Sequence, residues 1–459
     1  VGNNLSELHG ALKSQGKVFL INPNGILVGP QGTIDTNGFV ASTLDVNNQQ
    51  FLQGGQMNFV GDSTAAITNL GDINGMEGDV FLIARSVDNA GTVRATEGKA
   101  GLYAGHEVVL STDGSAAVRV GNTEVDPDAV QEGIKNSGLI ESARAELQAA
   151  GGNLYATAIN NTGTVRATGT EERNGVVHFV SNGGQVRNRE DATLSATNAD
   201  GSGGTLVIDT TEESGVLSGN VILDGAVDAS GTTGGHIAIR SGSAVLGGNI
   251  RADGESDGGT IDVQTGSANL AENISATGAT GQGGDIRIDA ARAIIETSTS
   301  RLDASGSTGG HIRATAGDRL FSSGTYRAVG TNGNGGRIDV TAANLNLLST
   351  ELDASGVTRG GRIRIGGEFQ GGKAAAKTPA EDGLSDADRV DFLTRWGASE
   401  ALASADTTLV SDGVNINVSA SQGQGGTAIV WSDSRTRFAG ALDARGNTDS
   451  SLNLQPSSL

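Results

Sequence analysis

Few residues in this sequence have the types and spacings that chemistry requires. Gly254-Glu255-Ser256-Asp257-Gly258 matches the Gly-x-Ser-x-Gly pattern of hydrolases, but that nucleophile works from a sharp strand-to-helix elbow. Here the motif sits in the turn between two short strands, so no nucleophile is expected. The five histidines, His9, His106, His178, His236 and His311, are scattered. His236 and His311 occupy one repeat position but lie three repeats apart, about 14 Å at ~4.8 Å per repeat, too far to share a metal. Asp126 and Asp128 flank Pro127 and read as helix-start acids rather than as a Ca²⁺ site. Neither a Gly-Gly-x-Gly-x-Asp nonapeptide nor a Gly-x-x-x-x-Gly-Lys-Ser/Thr loop occurs, which removes calcium-repeat toxins and phosphate-loop enzymes. No catalytic residue, cofactor site or metal site is expected.

Composition narrows the classes further. Of 459 residues 72 are Gly, 5 are Pro, 3% are aromatic and none is Cys. The core must therefore be built from Ile, Val, Leu and Ala in many thin layers. Disulfides, thiolate metal sites and cysteine nucleophiles are removed together. The net charge of −21 is spread along the chain, and only six Lys are present. A nucleic-acid binder needs clustered cations, so that class is excluded. The same charge keeps the protein soluble and repels bare polyanions. No run approaches 18 apolar residues, so no helix spans a bilayer. Val1 is not a natural start and no signal peptide is visible, so the chain reads as a fragment.

The elements that would position any site follow from internal repeats. Gly-Gly-x-apolar-x-apolar recurs with its second glycine at Gly204, Gly235, Gly259, Gly284, Gly310, Gly336, Gly361 and Gly426. Alternating pairs follow, among them Ile261 and Val263, Ile286 and Ile288, Ile338 and Val340. Period two over so few residues predicts a short strand with one buried face. A second pattern, apolar-x-Ala-x-Gly, begins at Val227, Ile250, Ile274, Leu302, Tyr326, Leu352 and Leu442. Two or three strands per ~25 residues, with Gly-rich turns, predict an all-β fold: a right-handed parallel β-helix with short helical excursions. Ile261, Ile286 and Ile312 should then stack in one interior column. The intervening positions Asp262, Arg287, Arg313, Asp339 and Arg364 should make Asp–Arg contacts on the outer face, each exposed pair worth only ~0–1 kcal/mol.

The first half repeats as apolar-x-Asn-x-Gly-x-apolar, with Asn69, Asn89, Asn136, Asn161 and Asn188 spaced 20, 47, 25 and 27 apart. The 47-residue gap reads as two coils, and the asparagines as turn residues that stack between coils. The organisation expected is Asn-rich coils over 1–200, regular coils over 201–366, a partly helical excursion over 367–406 and further coils over 407–459, all in one solenoid. In the excursion a helix is expected from Ser385 to Ala403. Its apolar stripe of Val390, Leu393 and Trp396 packs on the wall or offers an interaction surface.

One window is distinctive. Val18-Phe19-Leu20-Ile21-Asn22-Pro23-Asn24-Gly25-Ile26-Leu27-Val28-Gly29 reads as strand, tight turn, strand. Pro presets φ at the turn, and Asn24-Gly25 tolerate positive φ. This window, continued by Gly38-Phe39-Val40-Ala41-Ser42-Thr43-Leu44-Asp45, resembles the secretion domain of filamentous-haemagglutinin-like exoproteins, the passengers of two-partner secretion. Ala158-Ile159-Asn160-Asn161-Thr162-Gly163 and Gly425-Gly426-Thr427-Ala428-Ile429-Val430-Trp431-Ser432-Asp433 resemble the same family. The resemblance implies a Gram-negative protein, secreted or on the cell surface, threaded through an outer-membrane β-barrel partner. It makes Asn22, Pro23, Asn24, Gly25 and Ile26 the transporter-recognition and folding motif.

The favoured function is a non-catalytic secreted adhesin, meeting glycans, surface matrix or another copy of itself. A subunit of an extracellular filament or sheath is the second reading. A β-helix polysaccharide lyase or glycosidase is the third. It would need two carboxylates ~5–9.5 Å apart in a groove, or a Ca²⁺-carboxylate-Arg cluster. The sparse aromatics argue against the sugar platforms such an enzyme uses.

Overall fold

The computed structural model describes residues 3–111, 116–119, 130–150, 154–372, 385 and 401–447. Two compact units are distinguished, Val1–Ser230 with His236–Asn249, and Gly231–Gly235 with Ile250–Leu459. Both are parallel β-helices, as the repeats predict.

In the first unit the alternating residues form vertical columns. Ile26 pairs with Ile67, Ile67 with Val87, Val87 with Ile134, Ile134 with Ile159 and Ile159 with Val186. All six are at most 1% exposed. A second column runs through Ile34, Ile73, Val93, Ile140, Val165 and Leu194. Burying one such side chain stabilises by about 1.5–3 kcal/mol, so the columns supply the main driving force.

The 47-residue spacing proves to be one coil, not two, because Asn89 pairs directly with Asn136. The extra length enters a side structure. Asp45–Val46, Met57–Val60, Glu107–Leu110 and Ala116–Arg119 pair as an antiparallel sheet. This sheet closes a cluster of Val40, Leu44, Phe59, Phe81, Ile83, Tyr103 and Val108. A short helix, Asn48–Gln53, interrupts it. The Asn47 carboxamide oxygen caps that helix, accepting from the Gln49 and Gln50 amides at 2.8 and 3.3 Å. Phe51 meets Phe19 edge-on at 4.9 Å. The period-two reading could not see this sheet, since its strands do not repeat.

In the second unit Ile261, Ile286, Ile312, Ile338 and Ile363 form one interior column, each at most 1% exposed. The Gly-Gly positions are needed for close approach between coils. A Cβ on Gly336 would lie 2.1 Å from the Gly310 carbonyl oxygen, and one on Gly361 would lie 2.2 Å from that of Gly336. The second repeat stacks in register through Leu302, Tyr326, Leu352 and Ile416. Its polar residue does more than pair with cations. The side-chain oxygens of Asp303, Asp353, Asn417 and Asp443 each accept the backbone amide two residues on, at 3.0 Å. These Asx turns end the strand and explain why Asp or Asn recurs there.

The expected ladder of outer-face charges is corrected at its far end. The register is as predicted, with Asp262 beside Arg287, Arg313 beside Asp339 and Asp339 beside Arg364. Asp339 and Arg364, however, are completely buried. The chain returns over them at 401–406. The Leu402 amide donates to Glu368, Thr341 Oγ1 donates to the Ala403 carbonyl, and the Asp406 amide donates to that of Ala343. Val390, Leu393, Trp396, Asp126 and Asp128 lie outside the described residues. Of the helix expected over Ser385–Ala403, the described residues 401–403 are not helical.

Candidate functional site

The Asn22–Ile26 turn is built from its first residue. Asn22 is 1% exposed, and its carboxamide works in two directions. Its oxygen accepts from the Asn24 backbone amide at 3.0 Å and from Asn24 Nδ2 at 3.1 Å. Its nitrogen donates to the Asn4 carbonyl at 3.0 Å and to Ser6 Oγ at 2.8 Å. The Gly25 amide closes the turn on the Asn22 carbonyl at 3.1 Å. Gly25 has φ 107°, a value only glycine adopts without strain. Asn24, which tolerates a positive φ, does not have one. Ile26 follows immediately and is buried in the interior column. Pro23 and Asn24 stand exposed at the tip, and the Pro23 carbonyl accepts from Ser63 Oγ at 2.6 Å. A rigid, core-anchored turn thus presents a two-residue tip to solvent.

Above this turn runs a ladder of asparagines. Asn69 Nδ2 donates to Asn89 Oδ1 at 2.8 Å, Asn89 to Asn136 at 2.8 Å, Asn136 to Asn161 at 2.7 Å and Asn161 to Asn188 at 2.8 Å. All five are completely buried. A primary amide both donates and accepts, so it satisfies the coil on each side, which an ionised carboxylate cannot do. The stacking was legible in the spacing, and burial makes it strong. A second buried polar contact in this unit was not legible. Lys99 Nζ meets Glu146 Oε2 at 2.6 Å, and Tyr103 donates to the same oxygen at 3.1 Å. Desolvation, then the Glu146 charge, push the Tyr103 hydroxyl well above its ordinary pKa.

The second unit holds an ionic chain that sequence reading treated as surface. His311 Nε2 lies 2.9 Å from Asp339 Oδ2 and His311 Nδ1 lies 3.4 Å from Asp285. Arg364 Nε donates to Asp339 Oδ1 at 2.5 Å, and its Nη1 donates to Glu368. Burial alone would raise the Asp339 carboxyl, but the hydrogen bonds from Arg364 and His311 hold it at about 2. Burial likewise lowers the His311 imidazole, and its bonds to Asp285 and Asp339 outweigh that and leave it raised. The signal available in sequence was the Asp-Arg column itself. What it lacked was the covering segment. The Gly254–Gly258 motif is a plain turn. Gly254 bridges Gly231 and Gly278 on the adjoining coils, and Ser256 Oγ donates to the Thr232 carbonyl at 2.9 Å. There is no strand-to-helix elbow.

Residues 1–188 match the family model of the TPS secretion domain. The TPS match ends at Asn188, the last rung of the asparagine ladder. The chain is similar to the solved HMW1 secretion domain from Haemophilus influenzae, at 28% identity and a TM-score of 0.53, over 63% of this chain and 78% of that one. It is also similar to the heme/hemopexin-binding protein of Haemophilus influenzae, 29% identical over 204 residues, which are 41% of this chain and 22% of that protein. The chain thus spans about a fifth of that relative's length. These matches support a passenger-type protein of two-partner secretion, and the whole Asn22–Ile26 turn lies inside the matched residues.

Proposed function

We propose that the chain is a secreted exoprotein of a Gram-negative cell surface, exported by a β-barrel partner in the outer membrane that engages the Asn22–Ile26 turn. Beyond its TPS domain it acts without catalysis, as an adhesin binding through the wall of the β-helix. The observation that carries this reading is the construction of the turn. Four hydrogen bonds from one buried carboxamide and a core isoleucine hold Pro23 and Asn24 outward. Such rigidity lowers the ordering cost of recognition by a partner.

The test separates the anchor from the tip. Replacing both Asn22 and Asn24 by Ala in the full-length protein, co-expressed with its transporter, should lower secreted yield while synthesis continues. The tip variant Pro23→Ala with Asn24→Ser leaves every anchor of Asn22 except the Asn24 side-chain contact, and should lower export with little change in melting temperature. Unchanged secretion of the tip variant would reduce the turn to a well-made corner. For the adhesive half of the reading, the purified chain should bind cells or matrix and release no product from polysaccharides.

A further inference from the structure

The second unit carries a trough with a glycine floor. Gly309–Gly310, Gly335–Gly336 and Gly360–Gly361 lie on successive coils and line a groove of about 380 Å³. His311, Arg337, Arg359 and Arg362 line it, and none of the described lining residues is acidic. In a chain of net charge −21 this reverses the local sign and departs from the expectation that the surface simply repels polyanions. Arg337 and Arg362 are directly paired positions on adjacent coils, so their backbones are ~4.8 Å apart along the groove. Arg359 and Arg362 flank the Gly360–Gly361 floor. The cations crowd one another: burial first, then the Arg364 and Arg337 charges, bring the Arg362 guanidinium down to about 10.

We propose that this groove binds a linear polysaccharide bearing carboxylates, a polyuronate laid along the coil axis. This names a ligand class for the adhesive surface and rests on that reading. A guanidinium matches a carboxylate with two parallel hydrogen bonds, a geometry an ammonium cannot offer. The spacing favours sugar over acidic peptide. An extended peptide presents same-face side chains about 6.6 Å apart, against ~4.8 Å between coils. A uronate chain carries one carboxylate on every ring, so its charges can follow the arginines from coil to coil. The side-chain-free floor accepts the flat face of a ring.

The test is calorimetric titration of the purified chain with oligogalacturonate and with the same oligomer fully methyl-esterified. The acidic oligomer should bind, more weakly as salt rises, and the ester at least tenfold more weakly. Arg337→Gln and Arg359→Gln should each weaken binding about tenfold, the loss of one charge-assisted contact. Arg337→Lys should restore only part of it. Arg445→Gln, in an exposed pair with Asp443 outside the groove, should change nothing. Arg359 is exposed, so its variant keeps the fold and leaves the result readable even if an Arg337 variant unfolds. Equal binding of acid and ester, or arginine variants that bind as wild type, would overturn the proposal. Release of unsaturated ends would overturn it in favour of a lyase. Oligogalacturonate binding without cell adhesion would sink the adhesin reading alone, and adhesion without oligogalacturonate binding would sink this groove alone.

Discussion

Glu296 is a carboxyl group inside the second β-helix. In its column it stands between Leu270 on one coil and Ser322 on the next. Tyr326 donates to both of its oxygens at 2.7 Å and Ser322 Oγ to one at 2.6 Å. Burial raises its pKa from 4.5 to about 7, against the pull of those two donors. A carboxyl whose folded pKa is raised contributes stability that is fully present below its unfolded pKa and is lost as pH rises through the folded value. The window therefore runs from about pH 4.5 to 7. At about 1.4 kcal/mol per unit, the rise corresponds to about 3 kcal/mol lost across it. Glu296→Gln removes the titration, keeps an oxygen for the Tyr326 hydroxyl and offers an N–H to Ser322. The variant should match the wild type near pH 4.5 and exceed it by up to about 3 kcal/mol at pH 8. Urea unfolding of both chains at half-unit steps from pH 4.5 to 8 measures this. The comparison between chains cancels other groups titrating there, His311 among them. A wild type and variant with parallel pH profiles would refute the reasoning.

Two further outcomes follow from the columns. Asn136→Ala breaks two links of the buried ladder and orphans a donor on Asn89 and an acceptor on Asn161, so it should cost about 2–4 kcal/mol; chemical denaturation of the variant against the wild type measures the loss. Ile312→Ala leaves a void between Ile286 and Ile338 and should lower stability by about 2–5 kcal/mol, while Ile295→Ala, 45% exposed, should stay within about 1 kcal/mol in thermal melts.

The parallel β-helix was legible because each coil repeats a local rule. Period-two isoleucines select a buried face, Gly-Gly permits the close approach of neighbouring backbones, and Asp, Asn and Gly make the turns. Every coil meets an almost identical neighbour, so a pattern along the chain becomes a pattern in space. The interior column through Ile261, Ile286 and Ile312, the asparagine ladder and the Asn22–Ile26 turn follow from that alone. The non-repeating segments could not be read this way, because their contacts depend on where a single excursion returns. The 47-residue gap looked like two coils and is one coil with an antiparallel sheet attached. Asp339 and Arg364 looked like surface charges, yet residues 401–406 cover them and turn a weak exposed pair into a buried one, bonded also to His311 and Glu368. The arginine-lined groove is likewise a tertiary product. Its cations come from successive coils and gather because coil stacking aligns them beside the paired glycines. Local periodicity therefore determined the β-helix and its register, and burial by non-repeating chain, a purely long-range event, decided which charges are buried and which are open to a ligand.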